Sequence, residues 1–150
     1  VAKALGNGVP IGAFLVQGKA STVLVPGDHG TTYGGNPFVC AAAAKVLDIF
    51  EKRNLVEHVQ KVGDYLWDKL EELSDRHDCI KAHRGRGLIQ GLEFTEPVAS
   101  VVNHALLKER LVLISAGNQI IRFVPPLVIE EKDVDEMVRR LEAAVVAVFE

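Results

Sequence analysis

The chain has 150 residues, 48% of them hydrophobic and 25% charged, with a formal net charge of −3. That is the size and make-up of one soluble globular domain with a respectable core. It excludes a disordered segment, a basic nucleic-acid-binding footprint and, with no apolar run of spanning length, a helical membrane span. Two cysteines, Cys40 and Cys79, make no disulfide framework, so a reducing cytoplasm is the expected setting. The chain opens Val-Ala-Lys and enters a glycine-rich segment within a few residues. We therefore expect it to be the C-terminal part of something longer.

Residues 1–12 hold too many helix and strand breakers for regular structure. Ile11 to Val16 is an apolar run of strand length ended by Gly18. Ala20 to Val25 predicts a brief helix or turn, stopped by Pro26-Gly27. The stretch Gly27-Asp28-His29-Gly30-Thr31-Thr32-Tyr33-Gly34-Gly35 then leads into Asn36-Pro37, a helix N-cap followed by a residue suited to the first helical position. Val39, Ala42, Ala43, Val46, Ile49 and Phe50 repeat at helical spacing up to residue 52. After Arg53-Asn54, a second stripe of Leu55, Val59, Val62, Leu66, Leu70 and Leu73 predicts a long helix ending near His77.

Ile80 to Phe94 holds strand-like segments around Arg84-Gly85-Arg86-Gly87, with Leu88, Leu92 and Phe94 on one face and Gly91 hinting at a bulge or a close neighbour. Pro97 opens a helix with Val98, Val101, Val102, Ala105 and Leu106 inward. Leu111 to Ile114 and Gln119 to Val124 read as a hairpin around Ser115-Ala116-Gly117-Asn118. The last helix runs from about Glu131 to Phe149, with acids in its first turn. This order fits an α/β (α+β) arrangement in which a small antiparallel sheet is covered by helices on one side.

Two features could carry chemistry. Lys3 lies among small residues, and a lysine amine freed from its proton there can attack a carbonyl. A glycine-rich loop with threonine hydroxyls, feeding a helix N-terminus, is suited to phosphate oxygens. Against each stands an ordinary alternative: a solvated surface lysine, and a loop that simply enters a helix. Gly6-x-Gly8-x-x-x-Gly12 and Gly85-x-Gly87-x-x-x-Gly91 miss the dinucleotide fingerprint. His77, Cys79 and His83 lack zinc spacing, so no metal site is expected.

Ala2-Lys3-Ala4-Leu5-Gly6-Asn7-Gly8-Val9-Pro10-Ile11-Gly12-Ala13 resembles the cofactor-lysine segment of the class III (subgroup II) aminotransferases, fold-type I enzymes dependent on pyridoxal 5'-phosphate. Asp28 to Pro37 resembles their phosphate-contacting loop. Gly85-Arg86-Gly87-Leu88 and Ile121-Arg122-Phe123-Val124-Pro125-Pro126-Leu127 resemble parts of their small C-terminal domain. The resemblance implies a C-terminal portion of such an enzyme, with residues 1–53 closing the large cofactor-binding domain and 54–150 forming the small one.

By the same resemblance Lys3 is the catalytic residue, joined to pyridoxal phosphate and then moving a proton. Thr32 and Thr31 contact the cofactor phosphate, Thr32 reaching across a homodimer interface. Arg122 meets a substrate carboxylate or a gating glutamate, while Arg86 reads as structural or surface. The implied reaction moves an amino group from a small-molecule donor to 2-oxoglutarate. N-acetylornithine is the first candidate donor, and ornithine, succinylornithine and 4-aminobutyrate are the alternatives. The family's aspartate for the pyridine nitrogen, its ring-stacking aromatic and a further arginine lie upstream of the lysine, so the 150 residues alone are expected to be inactive. A rival of another class is a non-catalytic α/β module that uses an apolar surface for assembly.

Overall fold

The computed structural model describes all of residues 1–150. By contacts the chain divides into two compact units, Val1–Asn54 and Leu55–Glu150.

In the first unit, residues before Asn36 form only two short 3₁₀ turns, Lys3–Gly6 and Gly18–Thr22. The strand expected over Ile11–Val16 is absent. Ala13 exchanges hydrogen bonds with Val1 (2.8 Å from its N–H, 2.6 Å to its carbonyl), and no ladder continues beyond that pair. Phe14 and Leu15 are 62% and 85% exposed. An extended segment becomes a strand only when a neighbour takes its N–H and C=O groups, and the first unit supplies none. Helix α1 (Pro37–Lys52) starts where the sequence places it. The Asn36 side-chain oxygen accepts from the Val39 N–H (3.2 Å), and Pro37 occupies the first turn. Val39 and Ala43 are buried, and Lys45 and Lys52 pair with Asp48 on the polar face.

The second unit contains α2 (Leu55–Arg76), β1 (Ile80–Arg86), β2 (Ile89–Phe94), α3 (Ala99–Leu107), β3 (Ile114–Ser115), β4 (Ile120–Phe123) and α4 (Glu131–Phe149). Its strands form one antiparallel sheet in the order β1-β2-β4-β3. Burial alternates along β2: Gln90, Leu92 and Phe94 face inward, opposite Phe123 and Ile121 of β4. The inner face meets Leu66, Leu70 and Leu73 of α2, Val101 and Ala105 of α3, and Leu141, Ala144 and Val145 of α4, all fully buried. Tyr65 of α2 donates its hydroxyl to Asp135 of α4 (2.7 Å), which pushes the phenol up to about 12.

Three local expectations are corrected here. The register irregularity falls between Ile80 and Ala82 rather than at Gly91. Gly91 has no close neighbour either: an added Cβ would meet Ile120 and Ile121 at ordinary contact distances. Leu106 is half exposed, because the buried stripe of α3 is Val98, Val101 and Ala105, and Leu106 follows on the next spoke of the helix. The strand expected from Leu111 shortens to β3, since Arg110 turns with a left-handed φ of 54° and the Leu111 N–H closes onto the Ala105 carbonyl (2.8 Å).

Candidate active site

Residues 1–13 fold back on themselves. Asn7 and Gly8 take positive φ, and the buried Gly6 sits where an added Cβ would lie 2.8 Å from Ile11 Cγ2. The tight turn therefore requires a glycine there. Lys3 stands at its start with φ of 60°, a conformation uncommon outside glycine. Its side chain is exposed, and no hydrogen bond or ion pair holds the amine.

The two threonines differ. The Thr31 hydroxyl accepts from the Gly34 N–H (3.2 Å), a local turn so tight that a Cβ on Gly34 would meet Thr31 Cγ2 at 2.2 Å. Thr32 is exposed and its hydroxyl has no protein partner. The Asn36 amide donates to the Tyr33 carbonyl (2.8 Å), tying the loop to the first turn of α1. Asp28, the one acid among residues 1–36, accepts from the Val25 N–H (3.0 Å). Residues 10–12 and 33–35, with Val39, line one cavity of about 290 Å³, so the lysine segment and the Gly/Thr loop share a wall. Sequence reasoning did not single out this cavity, and neither Lys3 nor Thr31 nor Thr32 lines it.

Arg122 lies on β4 in the second unit, opposite Gly91 of β2 and Ile114 of β3. The same row continues to Arg84 of β1. Arg122 is exposed and unpaired, whereas Arg84 is paired with Glu93. It borders an apolar cleft of about 310 Å³ between residues 111–114 and 122–126, with Met137 on its wall. Arg86 is exposed and without a partner, in keeping with a surface role. Histidines 77 and 83 both face carboxylates rather than each other: His77 meets Glu150 (2.6 Å) and Glu142 (3.1 Å), and His83 meets Glu71 (2.6 Å).

A family model described as Aminotransferase class-III matches residues 1–145. The chain belongs to the class-III aminotransferase family. It is 43% identical over 149 residues to acetylornithine aminotransferase 1 of Bradyrhizobium diazoefficiens, covering 99% of this chain and 36% of that protein. With the mitochondrial acetylornithine aminotransferase of Saccharomyces cerevisiae it shares 42% identity over 149 residues, 99% of this chain and 35% of the relative. A succinylornithine transaminase of Photorhabdus laumondii is 41% identical over 96% of the chain and 37% of its own length. Among solved structures, an acetylornithine aminotransferase from Elizabethkingia anophelis superposes with a TM-score of 0.75 at 32% identity, covering 83% of this chain and 32% of that one. This class-III chain thus spans little more than a third of the length of the relatives it matches, and its fold is that of the corresponding part of a pyridoxal-phosphate aminotransferase.

Pyridoxal phosphate needs donors for its phosphate and an amine for its aldehyde carbon. The residues present fit both needs in kind: the unpartnered Thr32 hydroxyl, in the loop that leads into α1, and the unpaired Lys3 amine.

Proposed function

We propose that this chain is the part of a pyridoxal-phosphate aminotransferase that carries the cofactor lysine, the phosphate-loop threonine and the small-domain arginine. Residues 1–53 then close the large domain and residues 54–150 make the small one. The observation that carries the proposal is the class-III match over residues 1–145, which spans Lys3, Thr32 and Arg122, and two unpartnered groups in the first unit agree with it. The Thr32 hydroxyl and the Lys3 amine have no partner within the chain, and Thr31, whose Oγ1 accepts from the Gly34 N–H, keeps its own O–H to donate.

When bound, the cofactor supplies an electron sink for the pair of electrons left at a substrate carbon. This chain's own residues do the rest. Lys3 would hold the cofactor through its aldehyde group and, once released, its amine would serve as the base that carries a proton at the substrate carbon. Thr32 anchors the phosphate, and Thr31 shapes the loop that presents it. Arg122 pairs with a substrate carboxylate, which suits a planar guanidinium able to make two parallel hydrogen bonds. Its freedom from any ion pair within the chain is what such a role requires.

N-acetylornithine is the donor favoured by the names of several relatives. The family resemblance adds 2-oxoglutarate as acceptor and a cytoplasmic homodimer, the yeast relative being named as mitochondrial. Succinylornithine remains the second reading on the name of the Photorhabdus relative, and ornithine on that of a Toxoplasma gondii structure (TM-score 0.75, 31% identity). No helix here is long and apolar enough to cross a membrane. Borohydride reduction of the whole protein with its cofactor, followed by peptide mapping, tests the assignment: the label belongs on Lys3, and a label elsewhere refutes it. Competition among acetylornithine, succinylornithine and ornithine then separates the donors.

A further inference from the structure

Arg122 is unpaired although a carboxylate of its own sheet stands within reach. On the sheet face away from the helices, Gly91 of β2 lies between Arg84 of β1 and Arg122 of β4, directly opposite both. Glu93 comes two residues further along β2 on the same face, opposite Ala82 and Ile120. Arg84 and Arg122 are therefore its diagonal neighbours, one on each side, a separation that long side chains span. Gly91 puts no side chain between them. Yet Glu93 is turned wholly to one side: Oε2 meets Arg84, and Oε1 meets Lys81 Nζ (3.1 Å). Asp133, the one acid lining the cleft beside Arg122, is also engaged, its Oδ2 accepting from the Glu130 N–H (2.9 Å) to cap α4.

We propose that Lys81 and Arg84 are positioning residues: by holding Glu93 between them they keep it off Arg122, and so leave that guanidinium open to a carboxylate from outside the chain. The proposal rests on the reading of Arg122 given above and says how its freedom is maintained. A carboxylate offered one cation on one side and two on the other goes to the two, because each charge-assisted bond adds to the attraction. Lys81 and Arg84 are 64% and 66% exposed, so their ion pairs add little to stability. Their effect lies in where the charge of Glu93 is kept. Without them the diagonal cation left to Glu93 is Arg122, and an internal carboxylate then competes with the substrate's for the same guanidinium.

The test compares Lys81→Gln/Arg84→Gln with the same pair plus Glu93→Gln. In the whole enzyme the double variant should raise KM for the carboxylate substrate roughly two- to fivefold, the competing strength of an exposed ion pair, with kcat nearly unchanged. Adding Glu93→Gln should return KM to the parent value, which a merely structural loss would not do. In the 150-residue chain, phenylglyoxal, an arginine-selective dicarbonyl, followed by peptide mapping, gives a readout free of activity. Arg122 should be modified more slowly in the double variant by a similar factor, and at the parent rate in the triple one. Unchanged modification of Arg122 in the double variant overturns the proposal, as does a slowing that Glu93→Gln fails to relieve. So does a KM unmoved by the double variant where Arg122→Lys raises it. Should Arg122→Lys itself leave KM unchanged, the substrate reading of Arg122 falls, and the labelling still decides whether Glu93 is held off.

Discussion

Gly63 lies mid-way along α2, where a glycine-to-alanine change ordinarily stabilises a helix by about 1 kcal/mol. Here the opposite is expected. A Cβ at Gly63 would lie 2.6 Å from Gly87 Cα, 2.7 Å from its carbonyl carbon and 2.9 Å from its oxygen. All three are backbone atoms, so no side chain can rotate away; either α2 or the β1–β2 turn must move. Overpacking of this kind costs about 1–3 kcal/mol. The displacement also strains the Gln90 bond to the Gly63 carbonyl, worth about 1 kcal/mol. Set against the helix gain, Gly63→Ala should lose about 1–3 kcal/mol, or roughly 10 °C in melting temperature for a unit of this size. Urea unfolding followed by Trp67 emission reads this directly, with an unchanged slope and a lower midpoint. Gly91→Ala is the control. Its Cβ would meet Ile120 Cγ2 at 3.4 Å and the Ile121 carbonyl at 3.5 Å, ordinary contact distances, so the change should be within about 0.5 kcal/mol. A Gly63→Ala chain as stable as the parent, or more so, would refute the backbone-contact account.

Burial alone pushes the His77 ring down, but its hydrogen bonds to Glu150 and Glu142 more than offset this, so the folded pKa lies above the ordinary value of about 6.5. The stability His77 adds is therefore complete below that value and lost as pH rises through the folded pKa; His77→Gln should remove this alkaline decline in the urea midpoint. If Arg122 pairs with a substrate carboxylate as proposed, Arg122→Lys in the whole enzyme gives up one of two parallel charge-assisted bonds worth about 1.5–3 kcal/mol, so kcat/KM for that substrate should fall roughly tenfold or more. The 150-residue chain mixed with pyridoxal phosphate should lose the bound absorbance on dialysis; a band that survives dialysis there, and disappears in Lys3→Ala, would show that these residues suffice to hold the cofactor. Light scattering of the same chain should show self-association through exposed Phe14, Leu15, Val23 and Phe38, and a clean monomer would count against that.

Much of this fold is readable from local chemistry. Helices α1, α2 and α4 follow from apolar stripes and from Asn36-Pro37 or an acidic first turn, because a helix satisfies its own backbone. Strands depend on partners, and that is where reading failed: Ile11–Val16 has the composition of a strand and no neighbour, while Leu111–Leu113 gives way to the turn at Arg110. Lys3 and Thr32 were legible as a site only through resemblance, since an exposed lysine and a threonine in a loop are common on any surface. The difference between Thr31 and Thr32 needed the Gly34 turn to be seen. Gly63 carried no signal at all, because nothing local distinguishes a tolerated helix glycine from one pressed against another backbone.

That last point changes how Gly85-Arg86-Gly87-Leu88 should be understood. The segment looks like a binding loop, with two glycines around an arginine. Yet Gly85 has φ of 154°, and a Cβ there would lie 2.4 Å from the Ile89 carbonyl. Gly87 takes φ of 55° beneath Gly63, its carbonyl held by Gln90, and Leu88 is 3% exposed in the core. Each residue except Arg86 is thus accounted for by packing a tight hairpin onto α2. On the proposed reading the chemistry in this unit belongs one strand further on, where Arg122 is left unpaired across from Gly91. If that division is right, Arg86→Ala in the whole enzyme should leave KM nearly unchanged while Arg122→Lys raises it. Equal effects from the two substitutions would mean that the hairpin binds substrate as well as carrying the strand that does.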